Sequence, residues 1–177
     1  AMMQWAEANL SEKETADFDE IMNTGNLEKS AEAILKIKEI YDLNVKEETI
    51  TDNFLISGDE KYENEDYLGA IDEFNKALDI NPHDPTIYFK RGNAKDDLED
   101  FKGASDDFKK SILLERDETN NFFAYNNLIV TTYRLNEYEE LIDLCSIALE
   151  KFDDFRDAYY YRGLAMQKKG KHKRAID

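Results

Sequence analysis

Two histidines, His83 and His172, and one cysteine, Cys145, are the residues best suited to nucleophilic or metal chemistry, and none stands near another in sequence. Such chemistry needs convergence: a nucleophile beside its base, or three to four ligands around one ion. His83 lies in the loop Asn81-Pro82-His83-Asp84-Pro85 and His172 takes a turn position, so both read as structural. Cys145 has no internal partner for a disulfide; a buried core thiol is expected there rather than a nucleophile or sensor. Three adjacent acid pairs, Asp96-Asp97, Asp106-Asp107 and Asp153-Asp154, could supply carboxylates. Neighbours on a helix diverge by about 100°, however, and do not close on one ion. There is no calcium loop, no Gly-rich phosphate cradle and no nucleophile elbow. The expectation is a chain that is not an enzyme, without catalytic, metal-binding or cofactor-binding residues. Asn9-Leu10-Ser11 fits a glycosylation sequon, a pattern short enough to arise by chance.

Charge narrows the partners. The charged fraction is 36% and the net charge −17, which argues against a general phosphate-binding surface and so against nucleic acid. From Arg156 on, seven cations stand against two acids, so the chain has a basic end. The plain reading is solvated helix faces whose basic end complements acidic neighbours; the sharper one is a basic tip that docks an acidic partner or the next part of a longer protein. No apolar run approaches the roughly 18 to 20 residues of a membrane span, so no membrane insertion is expected. Ala1 to Leu10 lacks a charged start followed by an apolar stretch, and Ala1-Met2 reads as a tag remnant. With a single cysteine, cytoplasm is the expected compartment.

Whatever surface the chain offers must be positioned by helices, because the sequence repeats at helical spacing. Asp66-Tyr67-Leu68-Gly69-Ala70-Ile71-Asp72-Glu73-Phe74 returns 34 residues later as Asp100-Phe101-Lys102-Gly103-Ala104-Ser105-Asp106-Asp107-Phe108, and 37 after that as Glu137-Tyr138-Glu139-Glu140-Leu141. Ahead of these copies stand Phe54 to Gly58, Tyr88-Phe89-Lys90-Arg91-Gly92 and Tyr125 to Ile129, and a fourth match is Tyr159-Tyr160-Tyr161-Arg162-Gly163. A period near 34 with two helical patterns per unit resembles the tetratricopeptide repeat over about residues 51 to 177. The resemblance implies an all-α fold, a right-handed α-solenoid (superhelix) of antiparallel helix pairs. Residues 1–10 are expected to be a tag remnant and flexible start, and 11–47 an N-terminal helix pair acting as degenerate repeat or cap. Its first helix opens on the capping box Ser11-Glu12-Lys13-Glu14 and ends near Asn23; its second runs from the Thr24-Gly25-Asn26 turn to about Leu43, with a link over 44–50. Repeats one to three then occupy 48–84, 85–118 and 119–155. A fourth, 156–177, is truncated in a second helix expected to open at Lys171.

The recurring residue types have a packing reason. Gly58, Gly92 and Gly163 in first helices, with Ala70, Ala104 and Ala175 in second helices, suit close antiparallel approach, and Phe74 and Phe108 fill the space between units. The third repeat departs from this, with Ile129 for the glycine, Leu141 for the alanine and Cys145 for the phenylalanine. That predicts a helix pair splayed relative to its neighbours.

In the resembled family the concave surface is lined mainly by first helices. Spacing of four then three places Leu55, Asp59 and Tyr62 there, followed by Phe89, Asn93 and Asp96, then Asn126, Val130 and Tyr133, then Tyr160, Leu164 and Gln167, bordered by Phe123, Asn127 and Tyr161. Aromatics mixed with amides suit an extended peptide: rings supply contact area and each amide pairs a backbone N–H and C=O. Half of these aromatics, on the plainer reading, pack against the adjacent repeat. One subgroup clamps chaperone C-terminal carboxylates with two asparagines and three cations. Asn93 and Asn127 match the asparagines, but Phe89, Asp157 and Tyr161 hold the cation places, so carboxylate capture is not expected. The expected function is a non-catalytic adaptor or scaffold holding a protein or peptide partner in the groove. The alternative is an assembly module that spaces domains or forms homo-oligomers through its C-terminal end.

Overall fold

The computed structural model describes residues 10, 12–23, 27–117 and 121–176. Among them are eight α-helices: α1 (Glu12–Asn23), α2 (Leu27–Glu63), α3 (Tyr67–Ile80), α4 (Pro85–Asp97), α5 (Phe101–Leu114), α6 (Phe122–Arg134), α7 (Tyr138–Lys151) and α8 (Arg156–Ile176). The fold is an all-helical array of antiparallel pairs. The start at residues 1–9, Ser11 of the capping box and the turn at 24–26 lie outside the described residues.

The chain divides into two compact units, 1–50 and 51–177, with the division inside α2. In the first, Phe18 and Ile21 of α1 and Ala33, Ile37 and Ile40 of α2 line an apolar cavity of about 180 Å³, and the Ser30 hydroxyl donates to the Ile21 carbonyl at 3.5 Å. The link expected over 44–50 does not form; α2 is unbroken from Leu27 to Glu63. No glycine or proline interrupts the stretch 44–50. Its polar residues bond one turn back instead, Asn44 Nδ2 to the Ile40 carbonyl and Thr49 Oγ1 to the Val45 carbonyl, each at 2.8 Å. Likewise α8 runs straight through Gly170 to Ile176, with no turn before Lys171. The few residues beyond that point are too short to offset the nucleation cost of a separate helix.

In the second unit side-chain caps set the starts of α3, α4 and α5. Asp66 and Asp100 accept from the Gly69 and Gly103 N–H groups at 3.0 Å, and Asp84 accepts from Thr86 N–H at 2.8 Å ahead of Pro85. The core is a succession of clusters, each joining a pair to the next helix: Ala70, Phe74, Ala77 and Leu78 with Ile87 and Ala94, then Ala104 and Phe108 with Leu128. Two buried carboxylates recur at the repeat period. Glu73 receives Lys61 at 2.6 Å and Lys76 at 3.0 Å; Asp107 receives Arg91 at 2.6 Å and Lys95 at 2.7 Å. Buried acids at this depth need such partners.

The third pair is built differently. The α6 and α7 backbones approach each other less closely than those of α4 and α5, as the bulk of the fully buried Ile129 and Leu141 requires. Cys145, also fully buried, shares a cluster with Phe155, against which Phe122 and Phe152 pack. Phe122 lies 4.5 Å from Phe155 and 5.5 Å from Phe152, and Phe152 lies 5.5 Å from Tyr125. Burial pushes the Cys145 thiol up to about 11, as befits a core residue.

Candidate functional site

Asp84 and Pro85 fix where α4 begins, and the 3.6-residue turn then aligns Thr86, Phe89, Asn93 and Asp96 along one side. Three adjoining pockets follow that side. The first, about 210 Å³, includes Thr86, Phe89, Ser111, Glu115, Asn121 and Phe123. A second of about 300 Å³ is lined by Asp59, Tyr62, Phe74, Thr86, Phe89, Lys90 and Asn93. The third, about 330 Å³, has Tyr62, Asn93, Asp96, Asp97, Asn127, Val130 and Arg134. Thr86 and Phe89 are shared by the first and second, Tyr62 and Asn93 by the second and third, so the three adjoin in a row along α4.

Side chains in the groove hold one another across the repeats. Asn127 Nδ2 donates to Asn93 Oδ1 at 2.8 Å, a bond that uses neither the Asn127 side-chain carbonyl nor the Asn93 amide hydrogens. Lys90 donates to both oxygens of Asp59 at 2.8 Å. Tyr62 donates to Asp97 at 2.5 Å, and burial first, then that bond, raises its phenol well above the ordinary range, so it stays a donor. Asp96 accepts from Thr131 at 2.9 Å and pairs with Arg134, whose guanidinium lies 5.1 Å from the centre of the Phe101 ring. Asp96 and Asp97 thus serve different helices, as adjacent helical residues must. Among the described residues no group of three or more His, Cys, Asp and Glu is placed to hold a metal.

Of the residues expected from spacing, Asp59, Tyr62, Phe89, Asn93, Asp96, Phe123, Asn127 and Val130 line these three pockets. The others stand elsewhere. Leu55 packs against the Ala70–Phe74 cluster, and Tyr133 and Tyr161 pack against the last cluster with their rings 5.3 Å apart. Tyr160 is 62% exposed, its ring edge-on to Tyr161 at 5.3 Å. Leu164 is half-buried, as is Asn126, whose Oδ1 has no donor among the described residues. Lys90, Asp97 and Arg134 were missed although each is one residue from the expected stripe or one turn beyond it. Glu115 and Asn121 flank a helix connection, where periodicity carries no signal.

Residues 58–95 match a family described as TPR repeat, and residues 85–118 match a tetratricopeptide repeat family. No curated protein sequence matches the chain. Among solved structures, the first TPR of Spaghetti (RPAP3) bound to the HSP90 peptide SRMEEVD is 21% identical, with a TM-score of 0.61 over 69% of this chain and 94% of that one. The TPR2B domain of yeast Sti1 in its pHsp70 complex is 20% identical, with a TM-score of 0.59 over 68% and 98%. MamA is 20% identical, with a TM-score of 0.62 over 90% and 88%.

Proposed function

We propose that this chain, a tetratricopeptide repeat protein, is a non-catalytic adaptor that holds an extended peptide segment in the groove along α4. The observation that carries the reading is the row of three adjoining pockets in which the Asn93–Asn127 amide pair lies between apolar and aromatic side chains. Amides pair a peptide backbone in any sequence, and the rings beside them supply area that is released from water. Charge sets the preference. Lys90 and Arg134 are spent on Asp59 and Asp96, which leaves the Asp97 carboxylate uncompensated and favours a neutral or basic segment. RPAP3, the structural relative, takes an HSP90 peptide with acids near its end; here Phe89, Asp157 and Tyr161 stand where clamp cations would be needed, so an acidic tail would lack countercharge. The net charge of −17 likewise favours a protein partner over nucleic acid, and no helix of the described residues is long and apolar enough to cross a membrane. A cytoplasmic setting belongs to the same reading.

The test is a random peptide library panned against the full chain, with selected peptides measured on wild type and on the double variant Asn93→Ala/Asn127→Ala. Removing both amides leaves neither partner of that bond orphaned, so the melting temperature should change little. Affinity for the selected peptides should fall about tenfold or more. Unchanged affinity would sink the groove.

The assembly reading draws on α8, where Tyr159 and Met166 are 59% and 53% exposed and a Cβ on Gly163 would meet nothing within 4 Å. Sedimentation at two concentrations separates the two readings. A monomer throughout favours the adaptor, and a concentration-dependent dimer favours assembly.

A further inference from the structure

The first pocket of the groove has a chemistry distinct from the other two. Its space of about 210 Å³ lies among the start of α4, the end of α5 and the start of α6. Asn121 is only 6% exposed, and its Oδ1 has no donor among the described residues. The side chain makes no capping bond to α6 either, so helix capping does not account for it. A buried carbonyl oxygen in that state is costly unless something else supplies the donor. Beside it, Glu115 brings the single charge of the lining. The backbone N–H of Asp117 donates to its Oε1 at 2.9 Å, and no cation pairs with this carboxylate among the described residues. The Thr86 and Ser111 hydroxyls add two further acceptors. Phe123, 69% exposed, and Phe89 stand at the sides, and an aromatic face attracts a cation.

Of the helix ends here, the N-terminus of α6, which has no side-chain cap, is a positive pole of about half a charge, less than the full negative charge of Glu115, and the other two ends do not add to it. Asp84 already answers the N-terminus of α4 through its bond to Thr86 N–H at 2.8 Å, and the C-terminal end of α5, a negative pole, adjoins at Ser111 and Glu115. An anion in the pocket would face the Glu115 carboxylate and the Asn121 carbonyl together.

We propose that this pocket is an anchor site for a primary ammonium group, the side chain of a lysine in the bound peptide. The ammonium donates to the free oxygen of Glu115 and to a hydroxyl, and a rotation of the Asn121 side chain brings its buried Oδ1 to the same group, while the methylene stem lies against Phe89 and Phe123. The inference rests on the reading that the groove holds a peptide, since Thr86 and Phe89 line both this pocket and the next.

The experiment uses the full chain and the peptides selected from the random library, each resynthesised with lysine replaced by Nε-acetyl-lysine. Lysine should be enriched at one position, and acetylation there should weaken binding about tenfold. Glu115→Gln, with an unchanged thermal melt, should erase that difference, whereas Asn93→Ala/Asn127→Ala should weaken both forms alike. Peptides that depend on the two asparagines but show no lysine preference, or a preference that survives Glu115→Gln, overturn the anchor and leave the groove standing. If no peptide is selected the groove reading falls, and N-acetyl-lysine methylamide titrated into isotopically labelled protein then decides the anchor. Saturable shifts of the Glu115 and Asn121 amides that are lost on Nε-acetylation sustain it; their absence overturns it.

Discussion

Gly92 and Gly163 hold the same register in their helices, yet a methyl group added to each would meet opposite surroundings. At Gly92 a Cβ would lie 2.7 Å from Cε1 of Phe108, as one at Gly58 would lie 2.5 Å from Cε1 of Phe74, so the glycines are seats for aromatic rings. Nothing lies within 4 Å of the same point at Gly163. Gly92→Ala should therefore cost about 1–3 kcal/mol in urea denaturation despite its better helix propensity. Gly163→Ala should instead gain up to about 1 kcal/mol. A loss at both positions would show that the open side of α8 is covered in solution. Glu73 offers a second handle at this scale. Bonds from Lys61 and then Lys76 hold its carboxyl below the usual range, while the bond to Glu73 raises Lys61. A depressed carboxyl stabilises the fold fully above its unfolded value of about 4.3, and that contribution fades as pH falls through the lower folded value. The raised Lys61 works in the other direction, contributing below about pH 10.4 and losing that contribution as pH rises through its folded value. Thermal melts of Glu73→Gln should accordingly depend less steeply on pH on the acid side than those of wild type.

The turns inside the helix pairs show what a helix end requires. Glu65, Glu99 and Asn136 have φ of 62°, 61° and 61°, in the left-handed region. The following N–H groups of Asp66, Asp100 and Glu137 reach back to the carbonyls of Lys61, Lys95 and Thr132 at 2.9, 2.9 and 3.3 Å, which closes each helix in a Schellman arrangement. Asparagine tolerates this conformation, but glutamate pays the Cβ penalty. Glu99→Gly should raise stability by about 1 kcal/mol, read as a higher melting temperature; a lower one would mean that the glutamate side chain contributes more than its backbone costs. Helix pairing and turn position were legible from the period of 34, because apolar spacing and capping aspartates are local signals. The left-handed glutamates were not, since nothing in their residue type announces the geometry. The ring cluster of Phe122, Phe152 and Phe155 also escaped the repeat register, because two of its members lie outside the helices that repeat.

For the molecule as a whole the telling feature is that α2 spans the division between the two compact units. Residues 42–49 are exposed without interruption along it. Helix there draws little from tertiary packing, and such segments open first. Limited trypsin digestion should cut first after Lys46 and leave a fragment from Glu47 onward that still melts cooperatively. An earlier cut within residues 51–170 would place the weakest segment elsewhere.

By itself the amino-acid sequence determined the helices from α3 to α7, their antiparallel pairing and the seats of Phe74 and Phe108 at Gly58 and Gly92, because each follows from spacing within one or two turns and from the repeat period. It also narrowed the chemistry, since lone histidines and a single buried thiol offer nothing convergent. Only the tertiary structure decided which residues face the groove. The Asn93–Asn127 bond joins residues 34 apart, and Glu115 and Asn121 line one pocket from either side of a connection with no periodicity. Neighbours that meet through rotation of one helix against another leave no trace in local spacing, which is why Leu55, Tyr133 and Tyr161 read as groove residues and yet pack into the core.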